Sequence, residues 1–144
     1  RYNRINITKT DGKQIMTTTK NSAAMVRPRI YLGNGSSIGP GKINLLKMIA
    51  QTHSISGAAR ALKIPYKRAW HLIDSLNQSF ESPIVETMTG GKRGGGSTLT
   101  ELGELIIKHY DDIEQKINAT VQEEIADLAR YTKALDVDSL DDEE

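Results

Sequence analysis

The chain has 144 residues, of which 38% are hydrophobic and only 5% aromatic, so it can form one domain of ordinary size with an aliphatic core. It contains no cysteine, which excludes disulfides, thiolate metal sites and cysteine nucleophiles and fits a reducing compartment. No apolar run approaches the length of a membrane span, and no secretory signal opens the sequence. We therefore expect a cytoplasmic protein with no membrane partner.

The charges are divided unevenly along the chain. Residues 1–100 hold 15 Lys and Arg against 4 Asp and Glu, a net charge of +11, whereas residues 101–144 hold 4 against 14, a net charge of −10. A basic region of this kind is typical of a protein that binds nucleic acid. The alternative is a pair of solvated faces of opposite sign.

The first segment, residues 1–26, is polar and predicts an N-terminal arm. The segments Ile5-Asn-Ile7 and Gln14-Ile15-Met16 flank Asp11-Gly12, a pair that favours a two-residue turn, so a hairpin is possible within the arm. A short strand at 29–32 follows.

Three helices are then predicted from apolar residues at helical spacing. The first spans 41–52, with Ile43, Leu46, Ile49 and Ala50 on one stripe. The second spans 55–62 and can be capped by Ser54 or Ser56, and the third spans 65–80 with Pro65 at its first position. On the third helix the apolar face comprises Ala69, Leu72, Ile73, Leu76 and Phe80, and the opposite face comprises Lys67, His71, Asp74 and Gln78.

Two short helices joined by a tight turn, the second basic at its start, are typical of a helix-turn-helix, whose second helix enters the DNA major groove. The residues at the start of the third helix are therefore candidate DNA contacts: Tyr66, Lys67, Arg68 and His71. The alternative for these residues is an ordinary solvated helix face. Trp70 lies on a flank of the helix and is expected to pack. We include Ser54 and Ser56 among the candidate contacts.

The sequence "TGGKRGGGS", residues 89–97, raises the question of a phosphate-binding loop. A Walker A loop would need glycine at Glu86 and serine or threonine at Arg93, and a dinucleotide fingerprint would need glycine at Leu99. Both patterns fail, and no separate core follows that a slack linker could serve. Strands predicted at 84–88 and 97–99 make the stretch the tip of a hairpin, where Lys92 and Arg93 can contact phosphates as the wing of a winged helix-turn-helix.

A fourth helix, capped by Thr100, is predicted over residues 101–133, and an acidic tail follows at 134–144. One small domain cannot cover a stripe of that length, so we expect dimerisation through Leu102, Ile106, Tyr110, Ile113, Ile117 and Val121. The three histidines are dispersed and the paired acidic residues diverge around a helix, so we expect no catalytic residues, no metal site and no cofactor.

Residues 41–103 resemble the N-terminal DNA-binding domain of ModE-type molybdate-responsive regulators, a domain similar to that of LysR-type regulators. The resemblance depends on Ser54-Ile-Ser56 with Ala58-Ala59, on residues 66–70 ("YKRAW") and on residues 86–103 ("ETMTGGKRGGGSTLTELG"). It implies a mainly α, winged helix-turn-helix fold for residues 27–100, with a β-hairpin wing and a long C-terminal dimerisation helix. It also implies a homodimer that binds a pseudo-palindromic DNA duplex.

Two differences from the family pattern modify this expectation. Pro65 stands where the family usually has serine, which removes a side-chain cap. The family's small β-barrel oxyanion-binding modules have no counterpart in the sequence, so a separate oxyanion-binding protein would supply the molybdate or tungstate signal, or the resemblance reflects ancestry only. The alternative function is a helical dimeric adaptor for protein interactions.

Overall fold

The structure is a computed structural model that describes residues 3–20, 23–88 and 96–133, and for residues 3–10 and 13–20 it describes the backbone. Within these ranges there are five helices and three two-stranded antiparallel sheets, so the fold is mainly α, as predicted. The elements in chain order are β1 (Asn3–Thr10), β2 (Lys13–Lys20), β3 (Ile30–Tyr31), β4 (Ser37–Ile38), α1 (Pro40–Thr52), α2 (Ile55–Leu62), α3 (Tyr66–Ser79), β5 (Val85–Met88), β6 (Gly96–Leu99), α4 (Glu101–Thr120) and α5 (Gln122–Ala129).

The N-terminal hairpin is present and more regular than the sequence alone suggested. Its two eight-residue strands pair without a bulge from Asn3↔Lys20 to Thr10↔Lys13. Asp11 and Gly12 form the turn with φ values of 52° and 75°. Positive φ at both central residues is the requirement of a type I′ turn, which matches the twist of the flanking strands.

The core is formed around α1, which is buried on more sides than the predicted single stripe. Besides Ile43, Leu46 and Ile49, the side chains of Leu45 and Met48 are at most 2% exposed. The small residues Ala58 and Ala59 of α2 and Ala69 of α3 are also buried, which allows these helices to approach closely. The remaining core side chains are Ile38, Ile55, Ile73, Leu76, Ile84, Val85, Ile106 and Tyr110.

The ends of α1 and α2 are set by local backbone chemistry. His53 and Lys63 adopt left-handed conformations, with φ of 52° and 57°, and their backbone N–H groups bond to carbonyls of the preceding turn. Ser54 caps α2, because its Oγ accepts from the Gly57 N–H at 3.0 Å. The boundaries of the helix pair are therefore specified by caps that lie next to the helices in the sequence.

The long C-terminal helix is present but interrupted. Thr100 caps α4 as predicted, accepting from Gly103 N–H at 3.1 Å, but the helix ends at Thr120 and α5 begins at Gln122. Val121 departs from helical geometry, with φ −104° and ψ 19°. The β-branched pair Thr120-Val121 is poor at maintaining a helix, and the Thr120 hydroxyl donates to the Lys116 carbonyl, a bond that bends helices.

The chain divides into two compact units, Arg27–Glu114 and the remainder, Arg1–Val26 with Gln115–Glu144. In the second unit, the Asn118 side chain exchanges two hydrogen bonds of 2.8 Å with the backbone of Val26. No helix in the part of the chain that the structure describes is both long and apolar enough to cross a membrane.

Within the unit Arg27–Glu114, polar contacts fix α4 to the rest of the domain. Arg27 and Glu114 form a buried ion pair with 3.7 Å between Nε and Oε2. On α1, Lys47 Nζ lies 2.9 Å from Asp111 Oδ1. The Tyr110 ring is 1% exposed, and its hydroxyl donates to the Pro28 carbonyl at 2.7 Å. Burial, reinforced by the Glu114 carboxylate, raises the pKa of Tyr110 from 10.0 to about 12.

The raised pKa predicts a pH dependence of stability. A folded state that holds the phenol proton more tightly keeps its full contribution below pH 10.0 and loses it as the pH rises towards about 12. Tyr110→Phe should lose about 1 kcal/mol of unfolding free energy at neutral pH, because the bond to Pro28 is absent. Its stability should then fall less steeply above pH 10 than that of the wild type. Urea unfolding of both proteins across this range measures the difference, and parallel pH profiles would contradict it.

Candidate nucleic-acid interface

The start of α3 presents the predicted contact residues to solvent. Tyr66, Lys67, Arg68 and His71 are all exposed, and Tyr66 is 54% exposed. The buried residues of the same helix, Ala69, Ile73 and Leu76, lie on the opposite side. The predicted division of α3 into an apolar and a polar face is therefore present, although Leu72 and Phe80 are only half-buried.

Trp70 is half-buried and packs edge-on against Tyr66, with ring centroids 6.1 Å apart and planes at 84°. A T-shaped pair of this kind favours one orientation of both rings. Tyr66 is therefore held in place while its ring remains accessible. The packing role expected for Trp70 and the exposure expected for Tyr66 agree with this arrangement.

The N-terminus of α3 is electrostatically suited to an anion. Its N-cap is Pro65, which provides no side-chain hydrogen bond, and the first turn carries no acidic residue. The partial positive charge of the helix terminus is therefore not offset by a side chain, and Lys67 and Arg68 add to it. Pro65 therefore keeps the helix start in place and leaves this field uncapped.

The two serines before and within α2 differ in their surroundings. Ser54 is half-buried and uses its Oγ to cap α2, so its predicted contact role competes with a structural one. Ser56 is exposed, and its Oγ lies 3.0 Å from that of Ser54. Of the two, Ser56 is the more exposed to solvent.

The wing consists of β5 and β6, paired from Val85↔Leu99 to Met88↔Gly96. The tip of this hairpin, with the predicted contacts Lys92 and Arg93, lies outside the described residues. The second strand is docked on the domain, because Ser97 N–H donates to the His53 carbonyl at 2.9 Å. A Cβ at Gly96 would approach that carbonyl to 3.2 Å, which is closer than most Cβ contacts in proteins.

The base of the wing is held by Asn77, a residue of α3 to which the sequence pattern assigns no role. Its Oδ1 accepts from the backbone N–H groups of Ile84 at 2.8 Å and Val85 at 3.2 Å, and its Nδ2 donates to the Val85 carbonyl at 3.3 Å. One amide thus connects α3 to the first strand of the wing. The signal that could have found it is an amide on α3 shortly before a predicted buried strand.

The same segment is held from the other side by α4. The Ile84 carbonyl accepts from Thr100 N–H at 3.0 Å, and the Thr100 hydroxyl donates to the Pro83 carbonyl at 2.7 Å. Gly103 lies so close that a Cβ there would be 2.5 Å from the Ile84 carbonyl oxygen. Only glycine allows α4 to pack at this distance. We refer to Asn77, Ile84, Thr100 and Gly103 as the wing junction.

A third set of contacts connects α3 to the β3–β4 hairpin. Lys42 Nζ donates to the Ser37 carbonyl at 2.7 Å and to Ser75 Oγ at 3.2 Å. Burial, with a further contribution from nearby Arg29, lowers the pKa of Lys42. Asn34 Nδ2 donates to the Ser79 carbonyl at 3.0 Å. These bonds hold the C-terminal half of α3, so Lys42 is a structural cation rather than a candidate DNA contact.

The predicted dimer residues, which lie on α4 and at Val121 just after it, fall into two groups. Ile106 and Tyr110 are only 7% and 1% exposed, so the protomer's own core occupies them. Leu102, Ile117 and Val121 are half-buried, and Ile113 is 38% exposed. Leu105, which the stripe at steps of three and four had omitted, is 46% exposed and lies on the same flank as Leu102 and Ile113. Contrary to the expected dimer contact, Ile106 and Tyr110 are therefore not part of an exposed face.

The described residues contain no group of three or more His, Asp or Glu side chains placed to hold a metal ion. They do contain a closely packed helix pair, α2 and α3, with an exposed cationic start on α3. They also contain a two-stranded wing whose base is hydrogen-bonded to Asn77 and Thr100. Together these features define a winged helix-turn-helix domain. Residues 41–104 match the family described as bacterial regulatory helix-turn-helix protein, lysR family.

Within that class the chain resembles ModE. It is 42% identical over 101 residues to the DNA-binding transcriptional dual regulator ModE of Escherichia coli K12, covering 70% of this chain and 37% of that protein. It is 36% identical over 104 residues to the molybdenum-pterin-binding protein MopB of Rhodobacter capsulatus, covering 72% of this chain and 36% of that protein. The chain thus contains a ModE-type helix-turn-helix domain and spans about 37% of the length of the E. coli relative.

The wing junction predicts that Asn77 is required for stability. Asn77→Ala would leave the buried N–H groups of Ile84 and Val85 without their acceptor, at a cost of about 1–3 kcal/mol in unfolding free energy. Asn77→Asp keeps the acceptor for both N–H groups but loses the donor to the Val85 carbonyl, so it should lose less stability than the alanine variant. Gln78→Ala, at the exposed neighbouring position, is the matched control and should change stability by less than about 0.5 kcal/mol. Urea unfolding gives all three values, and equal losses for the alanine and aspartate variants would contradict the assignment.

Proposed function

We propose that this protein is a ModE-like, sequence-specific DNA-binding transcription regulator. The observation that carries the proposal is the exposed start of α3, where Lys67 and Arg68 extend a helix terminus that has no acidic residue in its first turn. A helix presented in this way fits the major groove, and its first turns reach the base edges. The match of residues 41–104 to a regulatory helix-turn-helix family supports the same function.

The contact residues have distinct proposed roles. Lys67 and Arg68 donate to guanine acceptors or phosphates, Tyr66 and His71 contact the duplex beside them, and Ser56 donates to the backbone near the start of α2. Ser54 contributes by fixing α2. Lys92 and Arg93, at the wing tip, meet phosphates or the minor groove. The junction at Ile84 sets the direction in which the wing leaves the domain, because α3 and α4 both bond to it.

We also propose that two copies bind a pseudo-palindromic site. The exposed flank formed by Leu102, Leu105 and Ile113 is the part of α4 available to a second copy. Ile117 and Val121, which are half-buried, remain candidates for the same contact. A symmetric dimer would present two α3 helices to half-sites about one helical turn apart, or a multiple of that. In this arrangement α4 connects the dimer contact to the wing junction through Gly103.

The names of relatives such as the molybdenum-pterin-binding protein MopB favour a response to molybdate. We propose that the oxyanion is sensed outside the helix-turn-helix residues, by a separate protein or module. The competing function is an adaptor whose acidic C-terminal region binds a basic partner. DNA titrations made with and without molybdate distinguish these proposals, because an adaptor would not bind the duplex in either condition.

DNA binding by the full chain should weaken steeply with salt, because contacts to phosphates release counterions. Lys67→Ala and Arg68→Ala should lower affinity and also change the preferred bases, since one good bidentate contact discriminates by about 1–3 kcal/mol. The double variant Lys92→Ala, Arg93→Ala should weaken all duplexes alike and reduce the salt slope by about 0.9 for each phosphate that the variant no longer neutralises. Selection of bound sequences followed by fluorescence anisotropy at several salt concentrations measures both effects.

Lys108→Ala is the control for charge alone, because Lys108 is exposed on α4 with its side chain 70% accessible. It should leave base preference unchanged. If no duplex binds even at low salt, the proposed function is wrong. If the two α3 variants and the wing double variant reduce affinity equally on every sequence, the division into base and phosphate contacts is wrong.

The dimer proposal predicts that Ile113→Lys lowers the molar mass measured by light scattering from that of a dimer to that of a monomer. In the dimer the lysine at position 113 would be buried in the interface without a partner for its charge, which costs association free energy. Tyr31→Lys changes an apolar residue that is 77% exposed on β3, outside the proposed flank, and should leave the mass unchanged. A wild-type monomer, or a dimer unaffected by Ile113→Lys, would contradict this arrangement.

A further inference from the structure

The β1–β2 hairpin is the element to which the proposed function gives no role. It lies outside residues 41–104, which match the helix-turn-helix family. Its backbone forms a continuous two-stranded ribbon of eight residues on each side, closed by a two-residue turn. At ~3.3 Å per residue such a ribbon is about 26 Å long, which is enough to follow a groove for most of a helical turn of DNA.

This ribbon receives no support from a larger sheet. Its sheet has two strands, and no third strand among the described residues pairs with either edge. A two-stranded hairpin without a larger sheet is marginally stable in water, and unpaired strand edges can contact a partner. Among the described residues the outer edge of each strand is unpaired, so the ribbon has edges available to a binding partner.

The composition of the segment indicates what that partner is. Residues 1–20 contain five Lys and Arg (Arg1, Arg4, Lys9, Lys13 and Lys20) and a single acidic residue, Asp11, a net charge of +4. The remaining positions are largely threonine, asparagine and isoleucine. A ribbon with one excess positive charge for every five residues is complementary to a polyanion and carries too few apolar residues to form a protein core.

We propose that the β1–β2 ribbon is a second DNA-binding element, which lies in a groove of the same duplex that α3 contacts and pairs its cations with phosphates. The major groove, ~12 Å wide, admits a two-stranded ribbon as readily as a helix. This inference rests on the proposed function and extends it: the protein reads bases with α3 and lengthens its contact with the backbone through the ribbon. The contact is with duplex phosphates and is independent of sequence.

The covalent connection makes even a weak ribbon contact effective. Six residues, 21–26, separate the end of β2 at Lys20 from Arg27, where the helix-turn-helix unit begins. Once α3 is bound, a short tether raises the effective concentration of the second element at the DNA to the millimolar range. A ribbon with little affinity of its own then adds measurably to that of the whole chain.

The test uses the full chain and a fourfold variant, Arg4→Gln, Lys9→Gln, Lys13→Gln and Lys20→Gln. If all four cations meet phosphates, the slope of log K against log salt should fall by up to about 3.6, and affinity should fall about tenfold or more for selected and unrelated duplexes alike. The base preference fixed by α3 should not change. Fluorescence anisotropy across a range of salt concentrations gives the slopes, and sequence selection gives the base preference.

Two controls isolate the ribbon. The variant Lys108→Gln, Lys116→Gln, Arg130→Gln, Lys133→Gln removes the same charge from exposed positions at the other end of the chain, and it should keep the wild-type slope. The variant Lys9→Arg, Lys13→Arg, Lys20→Arg keeps the charge and should keep both slope and affinity. Circular dichroism and thermal unfolding establish that each variant retains the helical domain.

The outcomes separate this proposal from the one on which it rests. Wild-type binding with an unchanged slope in the fourfold ribbon variant would overturn the ribbon proposal and leave the regulator function intact. Equal losses of affinity in the ribbon variant and in its charge-matched control would overturn it as well, because net charge alone would then explain the effect. A ribbon variant that changes its oligomeric state in light scattering would overturn it in favour of contact between copies. Absence of wild-type binding at low salt would reject the regulator function itself.

Discussion

The backbone at Ile84 is the constraint on which the arrangement of the interface depends. This peptide segment is buried, so its polar groups require partners inside the protein. Asn77 of α3 supplies the acceptor, Thr100 supplies the donors, and Gly103 removes the side chain that would otherwise keep α4 away. The helices α3 and α4 and the first strand of the wing are thus fixed to one another, because both helices satisfy the backbone polar groups at Ile84. Any movement of α4 would have to be accommodated at the base of the wing.

This junction gives a physical account of how a small domain can hold α3 and the wing, the two elements that we propose contact DNA, in a fixed relation. The start of α3 is exposed because its opposite face is occupied by the core around α1. The wing cannot shift independently, because β6 is also bonded to His53 at the end of α1. The helix and the wing therefore share one rigid frame. That frame fixes the start of α3, with Lys67 and Arg68, relative to the base of the wing.

The distribution of charge along the chain agrees with this arrangement. The basic residues are concentrated before position 100, on the segments proposed to contact DNA, and the acidic residues follow on α4, α5 and the end of the chain. Within the domain, the ion pairs Arg27–Glu114 and Lys47–Asp111 occupy cations that sequence counting alone would assign to the DNA-binding surface. The effective basic surface is thus smaller than the net charge suggests, and the cations that we propose to meet DNA lie on α3, the wing and the N-terminal ribbon.

The sequence by itself determined the first three helices to within about one residue at each end, the cap Thr100 and the exposed face of α3, because these depend on local periodicity and backbone chemistry. It allowed a hairpin around Asp11-Gly12 and a cap on α2 from either Ser54 or Ser56, and the structure selected the hairpin and Ser54. The sequence did not determine the break at Val121, the burial of Ile106 and Tyr110, or the roles of Asn77, Gly103 and Lys42. Those depend on which distant segment packs against each residue: Pro28 covers Tyr110, and Ile84 meets Gly103. Helical spacing shows that a face is apolar, but only the tertiary structure decides whether that face is buried in the protomer or left for a partner.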